Sequence, residues 1–479
     1  MRKTVMLCMT SILAGCVQPN GQSTDPVTES EFVYDERDVI ATDIPLPKQG
    51  VNQRPVVGEK KILVSVINWK DEAILNPDVT FTNTLSTDPS SLSTYILAAS
   101  GGKLTLSGQV ISHTAERVRP EECKSGTSSY PMALAKEMGV EAAKKNNVNP
   151  EDFDYIFNVI SCRGAANANL GGRYMGVYGQ GSPHVYRHEF GHNLGYDHGS
   201  TYTKCPKNGD TVTAPNGCST TFLGDTGDTV SGGGTLYPAF NRWYSGWLNP
   251  KQVATIKSTG LYRLGVLGGS GPQLYLVEQP SDGARTQNYL SLEYRKPTNF
   301  DNFPATDNRV MGVWARFSTV VYYNSKIINY QLDATPETAT TTDPTLISHK
   351  IFADNTNGTT IKTCTVSDHG ATVAIAFQNE PMPSCNPGLL PAPTIELPVV
   401  GAPPQPKPVV VSGKSLPGAL IIVRLAGAES LASTSADTTG AWKTTLPASM
   451  TPASYRLLIN QSIGLGFSSD GVREITIAP

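Results

Sequence analysis

Three of the chain's seven histidines fall in one short segment, His188-Glu189-Phe190-Gly191-His192-Asn193-Leu194-Gly195-Tyr196-Asp197-His198. Residues four apart on an α-helix stand one turn above each other, so the spacing predicts a helix that presents His188 and His192 to a single ion. Gly195 comes where that helix must end. Glycine tolerates the left-handed conformation that turns a chain sharply, and the turn can return His198 as a third ligand. Three protein ligands leave the fourth position of a tetrahedral zinc open for water, which marks a catalytic rather than a structural site. Glu189 is close to the ion but offset from the ligand face, where a base for that water belongs. With only seven histidines among 479 residues, three at ligand spacing, with Glu and Gly in step, are poorly explained by chance. His184 lies one turn before His188 and reads as a loop or outer residue; His113, His349 and His369 are isolated and read as structural or surface residues.

The surrounding pattern predicts a mixed α/β domain. Lys61 to Ile67 and Tyr155 to Ile160 are apolar, β-branched runs of buried-strand length, and Lys103 to Ile111 alternates like a strand. Ser91 to Ser100 reads as a short helix ended by Gly101-Gly102, and Pro131 to Lys145 as an amphipathic helix. Gly171 to Tyr178 reads as an edge strand feeding the histidine helix. After Trp247 helical patterns almost vanish and strand-like runs dominate, among them Gln273–Val277, Leu290–Tyr294 and Thr372–Phe377. The expected organisation is a catalytic domain over 57–248, a β-rich subdomain over 249–385, a Pro-rich linker over 386–402 and a small β-sandwich over 403–479.

The first residues read as an address. Arg2 and Lys3 precede a short apolar stretch, Val5 to Leu13, which closes on Leu13-Ala14-Gly15-Cys16. This resembles a bacterial lipobox, which implies cleavage before Cys16, lipid on its thiol, and attachment to the cell envelope. Val17 stands where an inner-membrane retention signal places Asp, so the outer membrane or cell surface is expected. Residues 1–16 are then signal and lipid site, and 17–56 a flexible tether. Setting aside Cys8 and Cys16 leaves six cysteines, an even set that reads as disulfides in an exported chain. Six allow fifteen connectivities; proximity favours Cys205–Cys218 and Cys364–Cys385, which leaves Cys123–Cys162. A net charge of −3 without long single-sign runs gives no nucleic-acid footprint.

The extended histidine pattern resembles the metzincin zinc peptidases, and its phrase HEFGHNLGYDHG resembles their gametolysin-like branch. Gly171-Gly172 upstream and Phe240-Asn241-Arg242-Trp243-Tyr244-Ser245-Gly246-Trp247-Leu248 downstream extend the likeness over about 60–380. The resemblance implies a twisted five-stranded mixed sheet, an active-site helix and a peptide groove beside an edge strand. It also implies zinc on His188, His192 and His198, with Glu189 as general base. One departure stands out. The family carries a methionine in a turn beneath the metal, but the next methionine after His198 is Met311; on the register set by Gly224-Asp225, Val230 takes its place. No cysteine lies between Cys16 and Cys123 to serve as a cysteine switch. Tyr237 is a candidate donor to a developing oxyanion, and Asp197 a candidate to orient a ligand. The tail carries Asp437-Thr438-Thr439-Gly440-Ala441-Trp442, which resembles an element of bacterial immunoglobulin-like repeats. The expected function is a lipid-anchored zinc endopeptidase acting on extracellular protein or glycoprotein. The alternative is a surface adhesin that keeps a zinc site with little catalysis.

Overall fold

A computed structural model describes residues 54–125, 132–378, 380–426 and 430–479. The signal stretch, Cys16 and nearly all of the tether lie outside the described residues.

The chain begins with a five-stranded sheet in the order β2-β1-β3-β5-β4. Its strands are β1 (Gly58–Asn68), β2 (Leu104–Thr114), β3 (Tyr155–Ile160), β4 (Asn167–Ala168) and β5 (Tyr174–Tyr178). The first four positions in that order run parallel, and β4 returns antiparallel to β5. Parallel strands must be covered on both faces, and alternation along β1 and β3 does this. Ile62, Val64 and Val66 join Tyr155, Phe157 and Val159 in one core. Leu63 and Ile67 join Ile156 and Ile160 in another. The first core is closed by α2 (Leu92–Ala99) and α5 (Pro183–Asn193); the second by α4 (Met132–Lys145), through Ala135, Met138 and Ala142.

Helix α2 ends as the sequence predicts: Ser91 caps it by accepting from the Thr94 amide, and Gly101 and Gly102 follow at φ +61° and +77°. Helix α1 (Pro77–Thr84) carries no apolar periodicity, and its sequence signal is a cap, with Asn76 accepting from the Asp78 amide and Pro77 in the first turn. A short α3 (Glu121–Ser125) is also new to the sequence reading. The expected edge strand is corrected by one position. Residues 169–174 turn back, with Gly172 donating to the Asn169 carbonyl and Asn169 to that of Tyr174, so β4 covers β5 and itself forms the edge.

Beyond α5 the described residues are mainly strands, with short helices only at Ala239–Tyr244, Asn308–Met311 and Tyr322–Asn324. β6 (Ser200–Thr203) leaves the histidine turn and pairs parallel with Lys326–Leu332 inside an eight-stranded sheet. Thr211–Ala214 pairs parallel with Ile351–Asp354 in a six-stranded sheet. Residues 200–222 therefore belong structurally with strands expected only after 248; these two sheets form a second layer, which holds the turn after the histidine helix through Ile327. Disulfides join Cys123–Cys162, Cys205–Cys218 and Cys364–Cys385.

The Pro-rich stretch is no free spacer. Leu389–Leu390 pairs with Gly466–Ser468, and Thr394–Leu397 with Val410–Lys414, so the C-terminal β unit starts well before 403. Proline lacks an amide donor but suits edge strands, and both of these strands lie at sheet ends. The unit has its own core around Trp442, Ile421 and Leu457. The Asp437 carboxylate accepts from the Thr439 and Ala441 amides and so shapes the turn before Trp442. Arg263 reaches across to the Gly418 carbonyl and Ser435 Oγ, which docks the unit on the second layer.

Candidate metal centre

Helix α5 starts at Pro183, whose missing amide costs nothing in the first turn, and it buries nearly every residue from Val185 to Asn193. It stops at Leu194, and Gly195 follows at φ +86°. A Cβ on Gly195 would lie 2.6 Å from the Ser325 carbonyl oxygen and 2.7 Å from the Arg54 guanidinium, so both conformation and space demand glycine. The turn is pinned to the second layer: Ile327 donates to the Gly195 carbonyl, and Asp197 to the Ile327 carbonyl, both at 2.9 Å.

This turn brings His198 back over the helix. Its Nε2 lies 3.3 Å from Nε2 of His188 and 3.1 Å from Nε2 of His192. The three groups fall within 4.8 Å of one another, and they are the one such cluster of three among the described residues. His188 Nδ1 donates to the Thr229 carbonyl at 3.0 Å and His192 Nδ1 to the Tyr196 carbonyl at 2.7 Å. These bonds fix the tautomers, leaving lone pairs on both Nε2 atoms. Burial, with the neighbouring imidazoles adding to it, pushes His188 down to about 3 and His192 well below its ordinary value; burial also lowers His198. All three are therefore neutral at pH 7, the state that binds metals.

The arrangement fits a metal on its own geometry. With His188 and His192 protonated on Nδ1, the single proton of His198 can satisfy at most one of the two close Nε2 contacts. The other opposes lone pairs unless a cation lies between. Tetrahedral zinc with bonds of about 2.0–2.1 Å separates its ligand nitrogens by about 3.3 Å, close to the observed spacing.

The other predicted residues fall as follows. Glu189 is on α5 and buried. Asp197 accepts from the His198 amide through Oδ1 at 2.9 Å and pairs through Oδ2 with Lys326 at 2.8 Å, so it positions the third histidine through backbone rather than ring. Val230 is fully buried beneath α5, where a Cβ on Gly191 would lie 2.3 Å from its Cγ2. Tyr237 must be corrected: it is buried, and its hydroxyl donates to the Arg187 carbonyl at 2.6 Å, beneath the helix and committed to holding it. His184 stays outside the triad, 3.4 Å from Thr229 Oγ1. Of the isolated histidines, His113 pairs with Glu141 at 2.9 Å.

Beneath Val230 lies a buried ionic network. Arg316 binds Asp225 at 2.7 Å and Glu293 at 2.6 Å, while Arg295 binds Glu293 at 2.7 Å and Asp301 at 3.3 Å. Asp228 accepts from the Val230 amide at 2.9 Å and shapes the turn that presents the Thr229 carbonyl to His188. Burial and the nearby Asp225 push Asp228 up to about 7. Charge counting agrees: four buried acids (Asp225, Asp228, Glu293, Asp301) face three buried guanidiniums (Arg242, Arg295, Arg316), and Asp228 is the one without an Arg partner at salt-bridge distance.

Sequence reasoning missed the Thr229 and Tyr196 carbonyls, because a main-chain acceptor carries no residue-type signal. It also missed Lys326 and Arg54, which meet the histidine turn only through tertiary folding.

No protein-family profile matches the chain, and no curated protein is similar to it in sequence. Among solved structures it overlaps weakly with wild-type OgpA from Akkermansia muciniphila, at a TM-score of 0.23 and 7% identity, covering 91% of this chain and 97% of that one. It overlaps with a structure described as a protease at a TM-score of 0.15 and 10% identity, covering 90% and 99% of the two chains. Overlap at this level establishes no shared fold.

Proposed function

We propose that the protein is a zinc-dependent endopeptidase of the metzincin type, with His188, His192 and His198 as ligands and Glu189 as general base. One observation carries the reading: three neutral imidazoles converge by Nε2, two of them with their Nδ1 protons already committed. Zinc held there would supply a Lewis acid that lowers the pKa of water toward ~7 and polarises a carbonyl. The chain's own residues then divide the work. Glu189, one residue past the first ligand, takes the water proton and delivers it to the leaving amine. The Thr229 and Tyr196 carbonyls keep two imidazoles in the metal-binding tautomer and orientation. The Asp197–Lys326 pair and Gly195 hold the third in reach.

Val230 fills the seat of the family's methionine. That residue packs and does not bind metal, so an apolar substitute is compatible with activity. The remaining assignments complete the proposal. Lipid on Cys16 holds the protein at the bacterial envelope, residues 17–56 act as tether, the substrate is extracellular protein or glycoprotein, and the C-terminal unit is a docked spacer.

The test is cleavage of labelled casein by a soluble form beginning after Cys16. Cleavage should vanish in Glu189→Ala and with a chelator. Equal turnover in Glu189→Ala would remove the base assignment.

A further inference from the structure

The end of the tether is tied to the turn that follows helix α5, and the phrase Phe240–Leu248 is the bracket between them. Val56 donates to the Ser245 carbonyl at 3.0 Å, and Trp247 Nε1 donates to the Val56 carbonyl at 2.8 Å. Pro55 packs on Gly246, where an added Cβ would lie 2.3 Å from the proline Cβ. The same phrase holds the turn itself: the Tyr196 hydroxyl donates to the Asn241 carbonyl at 3.0 Å and also meets Ser245 Oγ. Within the turn, Gly195 donates to the His192 carbonyl at 2.8 Å and Tyr196 to that of Gly191 at 2.9 Å, the double closure common where a helix ends on glycine. The Leu194 carbonyl belongs to the last turn, whose carbonyls lack helical partners. It accepts from the guanidinium of Arg54, which is 6% exposed and has its Cζ 3.8 Å from the centre of the Tyr244 ring.

We propose that Arg54 is a positioning residue for the metal: it locks the turn that aims His192 and returns His198, so the last residues of the tether are part of the metal centre. This rests on the zinc site of the peptidase reading and not on turnover. The reason lies in the carbonyl that Arg54 binds. Leu194 stands between the helix that carries two ligands and the glycine that swings the chain toward the third. A cation there meets the negative end of the helix dipole, and the Tyr244 ring holds its planar face by cation–π attraction. The guanidinium also closes against Gly195, where its Nη2 would lie 2.7 Å from an added Cβ. Next along the turn, the Tyr196 carbonyl accepts from His192 Nδ1 at 2.7 Å, so a shift of the turn moves that acceptor and His198 together. The metal-binding unit therefore begins at Arg54, ahead of the boundary expected at 57.

Zinc binding is the readout, with activity scored separately. In competition with a chelator, Arg54→Ala should weaken zinc binding about tenfold. Arg54→Lys keeps the charge but has no planar face for Tyr244, so it should recover only part of the loss. Cobalt in place of zinc reports the ligand set through its absorption. The wild type should give the intense bands of a tetrahedral ion, and Arg54→Ala weaker bands, because the third imidazole is held less firmly. A merely structural role would lower the denaturation midpoint alone. Folded Arg54→Ala protein with wild-type zinc affinity and cobalt spectrum therefore overturns the assignment. If the alanine variant does not fold, Arg54→Lys decides: a partial loss of affinity with altered bands supports the lock, and wild-type affinity and bands overturn it. Wild-type protein that binds zinc but never cuts casein would remove the peptidase reading and leave Arg54 in its role. Wild-type protein that binds no zinc would remove the metal centre and this role with it.

Discussion

The two supports of helix α5 are made of different material. Toward the five-stranded sheet it rests on aromatic packing: Phe190 meets Tyr155 edge-on at 4.9 Å and Phe157 at 6.0 Å. On the other side it rests on the turn over 225–233, whose apolar tip is Val230 and whose body is clamped by the ionic network of Arg316. Apolar packing tolerates small shifts, because dispersion has little directionality. A buried ion pair does not, because each partner must meet its hydrogen bonds or leave a charge stranded. The soft side therefore stabilises the helix, and the stiff side sets the height and angle at which the Thr229 carbonyl meets His188.

The comparison breaks first at its strongest points. Phe190→Ala and Arg316→Ala should each cost about 3–5 kcal/mol in denaturant unfolding, the first by leaving a cavity and the second by stranding Asp225 and leaving Glu293 to Arg295 alone. They should differ at the metal. At a temperature where both are folded, Arg316→Ala should lose zinc affinity by the larger factor; equal losses would show that the network has no special hold on the site.

Gly191→Ala probes the contact between the two supports. Its Cβ has no room above Val230, so it should cost about 1–3 kcal/mol. In the Val230→Ala background much of that cost should disappear, a coupling of about 0.5–3 kcal/mol by double-mutant cycle. Strict additivity would mean that α5 does not rest on Val230.

The smallest effect is a matter of pH. The folded-state pKa of Asp228 is raised, so between about pH 4 and 7 the native protein holds a proton that the unfolded chain has lost. The contribution of this group to stability is then full below about pH 4 and falls as pH rises toward 7. Asp228→Asn should flatten that fall relative to wild type. A steeper decline in the variant would mean that Asp228 is ionised in the fold.

The soft support was far more legible in the sequence than the stiff one. Buried strands announce themselves through runs such as Ile62–Ile67, and the helix that carries the ligands through His–His spacing and Gly195. The network does not. Asp225, Glu293, Asp301 and Arg316 are scattered over some ninety residues without periodicity; strand pairing brings Glu293 near Arg316, and loops carry Asp225 and Asp301 to them. The same limit hid α1, whose Thr-rich sequence has no apolar face, and the strands inside the Pro-rich stretch, where proline reads as linker. For the site, the side chains were readable, while the carbonyls that aim them were not.

The most direct test of the central claim is elemental analysis joined to casein cleavage on three purified forms: wild type, Glu189→Ala and His192→Ala. The account predicts zinc near one equivalent per chain in the first two, little in the third, and cleavage by wild type alone. Equal zinc in all three forms, or cleavage that survives in His192→Ala without bound metal, would contradict it.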